Sequence, residues 1–376
     1  MQHELPAITL PTRDHDLWGL GSYAEPTRYP KDAMIEWLQD SLLETWTCMP
    51  RSPILLPALC ADTQAKIAAG WTKLQGLAWI AVDWGTSNLR VWAMSSDARI
   101  LGEASSDRGM SKLDQAGFES ALLDLIADWL PPDGRMPVIA CGMLGARQGW
   151  IEAPYRQVPC QPVAVDEIGR PDSSDPRLDV IIVPGLKQIV PPDVMRGEET
   201  QIAGLLLDVP TFNGVLCMPG THTKWVQLHA GKIVEFRTFM TGEMYGLLAD
   251  KSVLRHSLGG NEWDAAEFSA CVRSAVADPN TLAKRLFSIR SEMLVADLTP
   301  SLARGRLSGL LIGAELAATQ AWWAGSDVVI VGNGAQAMLY ADALRLLGRE
   351  SRFFDTTKVT LAGLQSAWQQ LVRDIQ

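Results

Sequence analysis

The chain has 376 residues, of which 47% are hydrophobic and 20% are charged, and its formal net charge is −10. This composition excludes an intrinsically disordered chain, and the length predicts about two domains. Lysines and arginines form no basic stripe, so no nucleic-acid partner is expected. The sequence has no apolar run of about 18 residues and no basic region before an apolar one at its start, so we predict no membrane partner and a cytoplasmic location.

Residues 1–76 differ from the rest because prolines interrupt nearly every segment. The exception is KDAMIEWLQDSLLETW, whose apolar positions recur at helical spacing and predict one helix. We interpret residues 1–76 as an N-terminal extension of unknown role, either a docking segment or a loosely ordered addition. The remaining chain is predicted to form one domain over 77–205 and a second over 206–376.

The first of these two domains alternates apolar runs with amphipathic segments. Its predicted strands are AWIAV, LRVWAM, ARILGEA, PVIACGML and DVIIVPGL. The segment FESALLDLIADWL predicts a helix that ends before two prolines, and IAGLLLD predicts another helix. This alternation of strands and helices indicates an α/β layered fold.

The second domain repeats this beginning. Its predicted strands are GVLCM, KWVQL and KIVEFRTFM, followed by a mostly helical stretch over about 243–324 and a final strand, turn and helix in DVVIVGNGAQAMLYADALRLLG. Both domains therefore start with a strand, a Gly-Thr turn and a second strand. Aligning Gly85 with Gly220 also aligns Thr86 with Thr221, which suggests two related halves.

The first Gly-Thr turn consists of Gly85, Thr86, Ser87 and Asn88. Gly85 is predicted to allow a backbone conformation in which successive N–H groups point into one concavity, and the next three side chains add donors. Such a turn suits phosphate oxygens. Asp83 beside it is a candidate Mg²⁺ ligand, since Mg²⁺ commonly takes one or two carboxylates together with phosphate oxygens.

The second turn offers the same groups with an added positive charge, through Gly220, Thr221, His222 and Lys224. Two such turns on opposed domains would hold one polyphosphate from both sides. The alternative is a pair of ordinary β-hairpins whose turns happen to be rich in hydroxyl groups.

A third glycine turn, Gly332-Asn333-Gly334, follows the apolar run VVIV and matches the dinucleotide pattern G-x-G-x-x-A. Too few residues follow it to complete a dinucleotide-binding half. The alternative is that this turn contacts the ribose or the α-phosphate of a nucleotide at a helix N-terminus.

Adjacent carboxylates in MRGEETQ, Glu198 and Glu199, lie beside Arg196. Phosphoryl transfer to a hydroxyl requires a group that accepts the hydroxyl proton, and a carboxylate on a loop is suitable. The alternative is a solvated helix N-terminus, where glutamate is favoured by the helix dipole.

The segment CGMLGARQGWIEAPY combines several glycines with polar and aromatic side chains. The glycines are predicted to let a ligand approach the backbone, and Arg147 to clamp a carboxylate with two hydrogen bonds. Arg196 and Arg156 are the next candidates for the same role. The alternative is a purely structural loop.

Six blocks in order resemble the 2-dehydro-3-deoxygalactonokinase family, which belongs to the sugar-kinase branch of the actin-like ATPases. They are VDWGTSNLRVW, CGMLGARQGWIEAPY, MRGEETQIAGLL, CMPGTHTKWV, FMTGEMYGLL and SGLLIGAEL, and the resemblance covers about residues 77–376. It implies an α/β protein with two ribonuclease-H-like domains around a central cleft. It also implies transfer of the γ-phosphoryl of ATP to the 6-hydroxyl of 2-dehydro-3-deoxy-D-galactonate, in galactonate catabolism.

The resemblance also implies roles for individual residues. Related sugar kinases carry a Gly-Asp-Gln segment with an aspartate base, and the corresponding segment here is Gly197-Glu198-Glu199, which points to Glu198 in place of that aspartate. The expected catalytic residues are Glu198 and Asp83, and Asp83 is also the expected metal ligand. The expected cofactors are ATP and Mg²⁺, bound through Gly85, Thr86, Ser87, Asn88, Gly220, Thr221, His222, Lys224, Gly332, Asn333 and Gly334. The expected contacts to the sugar acid are Arg147, Gln148, Trp150, Tyr155, Arg196 and Glu199.

Three other interpretations stay open from the sequence. The same chemistry could act on another sugar acid or on a ketose. The VGNGAQA turn could belong to a nicotinamide-dependent oxidoreductase, and an actin-like fold could serve as a sugar-acid sensor without turnover. The oligomeric state is open as well.

Overall fold

A computed structural model of the chain describes residues 74–374. The helix expected in KDAMIEWLQDSLLETW lies outside the described residues, as does nearly all of the extension. The described chain divides into two compact units. Of the described residues, the first unit comprises 74–212, 230–233 and 356–374, and the second comprises 213–229 and 234–355.

Strands and helices alternate along both units. The strands of the described residues are β1 (Leu77–Trp84), β2 (Leu89–Ser95), β3 (Ile100–Ser106), β4 (Met136–Gly142), β5 (Tyr155–Gln157), β6 (Leu178–Ile182), β7 (Gly185–Gln188), β8 (Asp193–Met195), β9 (Gly214–Met218), β10 (Thr223–His229), β11 (Lys232–Phe239), β12 (Val328–Val331) and β13 (Ser351–Phe354). The α-helices are α1 (Gly117–Ile126), α2 (Glu198–Asp208), α3 (Thr241–Lys251), α4 (Ala265–Ala277), α5 (Leu282–Val295), α6 (Pro300–Trp323), α7 (Gly334–Leu346) and α8 (Thr356–Asp374). The α/β class predicted from the sequence is confirmed.

The first unit is built on a five-stranded sheet with the order β3-β2-β1-β4-β6. Its central strand β1 is antiparallel to β2 and parallel to β4. Alternate side chains of β1 enter two separate cores: Ile80 packs in the cluster that contains Phe118 of α1, and Trp79 packs in the cluster that contains Trp368 of α8. Both faces of β1 are therefore covered, which explains its almost unbroken apolar sequence.

The second unit repeats this arrangement in a sheet with the order β11-β10-β9-β12-β13. Its central strand β9 is antiparallel to β10 and parallel to β12, and β12 is parallel to β13. Strand β9 thus corresponds to β1, and the β9–β10 turn corresponds to the β1–β2 turn. The repetition that the two Gly-Thr turns suggested extends to the whole strand order.

The domain boundaries predicted at 205 and 206 differ from the observed units. That boundary falls inside α2, and α8 belongs to the first unit although it ends the chain. The physical reason is that α2 and α8 cross closely at two glycines, where any side chain would meet the backbone of the other helix. A Cβ on Gly204 would lie 1.9 Å from the carbonyl oxygen of Val359, and a Cβ on Gly363 would lie 1.9 Å from that of Thr200. Among residues 74–374, no helix is both long enough and apolar enough to cross a membrane.

Candidate functional site

The first Gly-Thr turn is held by its carbonyl groups. The backbone N–H groups of residues 109–111 donate to the carbonyl oxygens of Ser87, Gly85 and Thr86, at 3.2, 3.1 and 2.9 Å respectively. The side chains of Thr86, Ser87 and Asn88 are exposed. Within residues 74–374, no hydrogen bond occupies the backbone N–H groups of these three residues. The turn therefore presents donors outward while its acceptors are occupied, which suits an anion.

The conformational reason predicted for Gly85 is wrong. Gly85 does not adopt a left-handed backbone conformation, and an added Cβ would lie 3.5 Å from its nearest neighbour, the Asn88 carbonyl oxygen. The constrained glycine is Gly109, where a Cβ would lie 2.3 Å from the Ser87 carbonyl carbon and 2.4 Å from the Thr86 oxygen. The segment that supports the turn therefore requires glycine at position 109, and no sequence pattern around Gly109 indicates this requirement.

Asp83 lies near the end of β1, in register with Arg90 on β2 and Cys141 on β4. One carboxylate oxygen forms an ion pair with the Arg90 guanidinium, which also donates to the hydroxyl of Thr357 at 2.9 Å. The other oxygen lies 4.0 Å from the Cys141 sulfur. Sequence reasoning missed Arg90, because only the strand register shows which side chain lies opposite Asp83.

Glu198 and Glu199 begin α2, directly after Gly197, whose φ of 109° lies in the left-handed region. Glu198 is half-buried, and its carboxylate accepts the Arg196 N–H at 3.1 Å. Glu199 is completely buried and accepts the Gly197 N–H with both oxygens, at 2.9 and 2.7 Å. Burial, reinforced by the neighbouring Glu198 charge, raises the pKa of Glu199 to about 8. The two adjacent carboxylates therefore occupy different environments, and only Glu198 has exposed surface.

The ends of β1 and β4 bring Asp83 and the start of α2 to one edge of the first sheet. A Cβ on Gly142, at the end of β4, would lie 2.5 Å from the Trp84 oxygen, and a Cβ on Gly197 would lie 3.4 Å from the Gly142 Cα. Burial raises the pKa of the Cys141 thiol well above its usual value, and the charges of Asp83 and Glu199 both add to this rise. The carboxyl ends of parallel strands are the usual ligand position in open α/β sheets.

The glycine-rich segment after β4 is shaped by internal packing. A Cβ on Gly149 would lie 2.3 Å from the Leu144 oxygen, so this glycine admits the protein's own backbone rather than a ligand. Trp150 is 6% exposed and packs in the core of the first unit, and its contact with the sugar acid stays a prediction. Gln148 is exposed, and Arg147 is 81% exposed with only a distant ion pair to Glu152 at 3.9 Å.

The other two arginines proposed for the sugar-acid carboxylate are engaged inside the protein. Arg196 is 7% exposed, donates to the Ala153 oxygen at 2.7 Å and stacks on the Tyr155 ring at 4.2 Å. Arg156 donates to the Gln161 oxygen at 2.9 Å, and its side chain is 15% exposed. Arg196 and Tyr155 thus stack on each other beside the loop over residues 145–155, and the contact to the sugar acid predicted for them stays a prediction.

The second Gly-Thr turn connects β9 and β10, and a buried side chain helps to hold it. Lys224 is buried and donates to the Thr238 hydroxyl on β11 at 2.8 Å. His222 is half-exposed and lies 2.6 Å from a carboxylate oxygen of Glu243 on α3. The Glu243 N–H in turn donates to the Thr221 oxygen at 3.0 Å. The start of α3 therefore packs directly on this turn.

Gly220 in the second turn is not conformationally constrained either, since it lies outside the left-handed region and a Cβ would have no neighbour closer than 4.0 Å. The constrained position is again in the supporting segment: a Cβ on Gly242 of α3 would lie 2.3 Å from the Gly220 oxygen. Gln336 of α7 donates to the same oxygen at 3.1 Å. The Gly332-Asn333-Gly334 turn begins α7, with Gly334 at a φ of 69°. The second turn and the start of α7 thus lie together, as parallel β9 and β12 require.

Comparisons with known proteins agree with this arrangement. A sequence profile of the family described as 2-keto-3-deoxy-galactonokinase matches residues 83–367. A probable 2-dehydro-3-deoxygalactonokinase of Rhizobium meliloti is 38% identical over 295 residues, which cover 76% of this chain and 95% of the relative. The 2-dehydro-3-deoxygalactonokinase of Escherichia coli is 33% identical over 302 residues, which cover 79% of this chain and 97% of the relative.

A solved structure extends the agreement to the fold. The crystal structure of a Sinorhizobium meliloti protein, provisionally named a 2-dehydro-3-deoxygalactonokinase, is 36% identical, with a TM-score of 0.72. The match covers 78% of this chain and 99% of that structure. The chain belongs to the 2-keto-3-deoxy-galactonokinase family. It is therefore a phosphotransferase with an alcohol acceptor that uses ATP, and the family predicted from the sequence is confirmed.

Proposed function

We propose that the chain transfers the γ-phosphoryl group of ATP to the 6-hydroxyl of 2-dehydro-3-deoxy-D-galactonate, as a step of galactonate catabolism. The observation that carries this proposal is the set of residues gathered at one edge of the first sheet. There Asp83 is in register with Cys141 of β4, Gly197 directly before Glu198 packs near Gly142 at the end of that strand, and the turn after β1 has its carbonyl groups hydrogen-bonded. These are the groups that phosphoryl transfer to a hydroxyl requires: a proton acceptor, a metal-binding carboxylate and phosphate donors.

Glu198 is the proton acceptor in this proposal. The substrate 6-oxygen forms a bond to the γ-phosphorus as the bond from that phosphorus to the β–γ bridging oxygen breaks, and ADP leaves. The 6-hydroxyl proton passes to the Glu198 carboxylate. The exposed surface of Glu198 and the complete burial of Glu199 favour Glu198 for this role. Glu199 instead fixes the Gly197 N–H and so the start of α2.

Asp83 is the residue that would hold Mg²⁺. Its Oδ2 is paired with Arg90, and its Oδ1 lies 4.0 Å from the Cys141 sulfur, so Oδ1 is the oxygen that would bind the cation. Residues 74–374 contain no group of three or more His, Cys, Asp or Glu side chains arranged as metal ligands. A site with one carboxylate fits Mg²⁺, which takes most of its other ligands from phosphate and water. Bound there, Mg²⁺ would neutralise charge on the phosphates.

The nucleotide contacts follow from the two turns. The backbone and side-chain donors of Thr86, Ser87 and Asn88 would bind phosphoryl oxygens through the first unit. In the second unit, the turn from Gly220 to Lys224 and the N-terminus of α7 would bind the remaining phosphates and the nucleotide, because helix N-termini favour anions. Each set of donors lies at the carboxyl ends of parallel strands in its own sheet.

The experiment that tests this proposal is a coupled assay of ADP release by the purified full chain. The panel contains 2-dehydro-3-deoxy-D-galactonate, its C4 epimer and a ketose without a carboxylate. We expect release with the galactonate derivative, and loss of release when EDTA removes divalent cations. If the chain binds nucleotide but releases no ADP in the presence of any of these compounds, it is a sensor, and the kinase proposal is refuted.

The substitution Glu198→Gln tests the proton acceptor. We expect kcat to fall by about 10²–10⁴-fold, with the KM values for both substrates changed by less than about threefold, because the amide keeps the shape but accepts no proton. The control is Glu167→Gln, at an exposed carboxylate of the same unit. Full activity of Glu198→Gln would rule out Glu198 as the base.

The substitution Arg147→Ala tests recognition of the sugar-acid carboxylate. Arg147 is the most exposed of the three arginines considered, so we expect the KM for the sugar acid to rise by about tenfold or more and the KM for ATP to stay nearly constant. Arg156→Ala serves as the comparison, since its guanidinium is engaged with the protein backbone. Equal changes in both KM values for Arg147→Ala would contradict the assignment.

A further inference from the structure

A carboxylate on α6, Glu315, is buried in the core of the second unit, where its side chain is 3% exposed. It accepts hydrogen bonds from three side chains. One oxygen accepts the Trp225 indole N–H at 2.7 Å, and the other accepts the Tyr340 hydroxyl at 2.8 Å and the Thr241 hydroxyl. Burial raises the pKa of Glu315 to about 7, and the three hydrogen bonds act against this rise.

The three donors belong to three separate elements that surround the second Gly-Thr turn. Trp225 lies on β10, directly after Lys224 of the turn. Thr241 is the first residue of α3, and its neighbour Gly242 is pressed against the Gly220 oxygen. Tyr340 lies on α7, and Gln336 of the same helix donates to the Gly220 oxygen. One carboxylate thus connects three elements that surround this turn.

The connection reaches the turn itself through Tyr340. The Tyr340 hydroxyl lies 3.0 Å from the hydroxyl of Thr223, which is completely buried at the start of β10. The path from Glu315 through Tyr340 to Thr223 is therefore an unbroken series of buried hydrogen bonds. Because side chains in such a network have few alternative partners, the network favours one arrangement of the elements it joins.

A buried carboxylate is a costly way to fill this space. Apolar side chains surround Glu315 on α6, including Leu311 and Leu316, and replacing buried ionic groups with apolar ones is often neutral or stabilising. Stability alone therefore does not explain a charged group at this position. Its contacts point to a role in positioning the turn.

We propose that Glu315 is a positioning residue that sets the geometry of the second phosphate turn and thereby controls ATP affinity and phosphoryl transfer. This inference rests on the proposed binding of ATP phosphates by that turn. Glu315 is buried and would not touch either substrate. It acts through Trp225, Thr241 and Tyr340, so its effect falls on the nucleotide rather than on the sugar acid.

The test is the isosteric substitution Glu315→Gln, which keeps the side-chain shape but places an amide N–H₂ group either against the two hydroxyl donors or against the indole N–H. We expect the KM for ATP to rise about tenfold and kcat to fall, while the KM for the sugar acid changes by less than about twofold. Equilibrium binding of ATP, measured by calorimetry without sugar acid, should weaken by a similar factor.

The matched control is Thr319→Val on the same helix. Thr319 is equally buried, but its hydroxyl donates only to backbone oxygens of α6, at 3.0 Å for Glu315 and 3.4 Å for Leu316. We expect Thr319→Val to lower the melting temperature without changing either KM. Tyr340→Phe removes one link while leaving the other two donors, and it should raise the KM for ATP about threefold even if Glu315→Gln fails to fold.

The outcomes separate this inference from the proposed function. If the unsubstituted chain neither binds ATP nor releases ADP, the proposed function fails and the positioning role fails with it. If the unsubstituted chain is active and Glu315→Gln or Tyr340→Phe changes both KM values equally, or neither, only the positioning role is overturned. A selective change in ATP binding, absent in Thr319→Val, supports it.

Discussion

The turn over residues 85–88 and the turn over residues 220–224 occupy equivalent positions in two sheets of the same strand order, but different interactions hold them. The first turn is held by hydrogen bonds to its backbone carbonyl groups, one of them from the Ser111 hydroxyl, and its side chains are exposed. The second turn is fixed through buried side chains, among them Thr223 and Lys224. Equivalent topology therefore places both turns without determining how either one is made rigid.

This difference shows where each unit depends on its surroundings. The first turn rests on the short segment at residues 109–111, and a local change there should disturb it directly. The second turn rests on α3, α6 and α7, so a substitution far along the sequence, at Glu315, should disturb it. In both cases the position that has no room for a side chain lies in the segment that supports the turn and not in the turn itself.

The largest effect is expected from alanine at the supporting glycines. In Gly109→Ala and in Gly242→Ala the new Cβ would lie 2.3 Å from turn backbone, so the backbone must move. We expect each variant to lose about 1–3 kcal/mol of unfolding free energy, and its KM for ATP to rise. Thermal unfolding and ADP-release kinetics on the same preparations measure both quantities.

The controls for this comparison are Gly85→Ala and Gly220→Ala. Neither glycine is left-handed, and the nearest atom to an added Cβ lies at 3.5 Å and 4.0 Å respectively. Their unfolding free energy should change by less than about 1 kcal/mol. If Gly85→Ala destabilises the chain as much as Gly109→Ala, the supporting segment is not what limits the first turn.

A smaller effect is expected on the pH dependence of stability. Burial raises the pKa of Glu199 in the first unit to about 8 and that of Glu315 in the second to about 7, above the ordinary value of 4.5. The folded chain therefore binds these protons more tightly than the unfolded chain does. The resulting stabilisation is complete below about pH 4.5 and is lost as the pH rises through about 7 and 8.

Urea unfolding between about pH 5 and about pH 9 measures this loss. Glu199→Gln should reduce the decline up to about pH 8, whereas Glu315→Gln should reduce it only up to about pH 7, so the two variants differ most between about pH 7 and about pH 8. The comparison then assigns the pH dependence to one unit or the other. If both variants keep the slope of the unsubstituted chain, neither carboxyl is the source.

Much of the site could be predicted from the sequence because its motifs are local. WGTSN and PGTHTK follow apolar strands directly, so their turns had to lie at strand ends, and the order of six blocks identified the family. The burial of Trp150 and Arg196 could not be predicted in this way. A tryptophan in a glycine-rich loop and an arginine beside two glutamates have the same local pattern whether they are buried or exposed, and the structure buries both.

The sequence by itself determined the α/β class, the repeated strand-turn-strand beginning and the presence of Asp83, Glu198 and the two turns, since each depends on neighbours within a few residues. Only the tertiary structure decided the pairing of Arg90 with Asp83, the separation of Glu198 from Glu199 by burial, and the convergence of three elements on Glu315. These features depend on strand register and helix packing, which join residues far apart in the chain. Local sequence patterns do not show which distant residues come into contact.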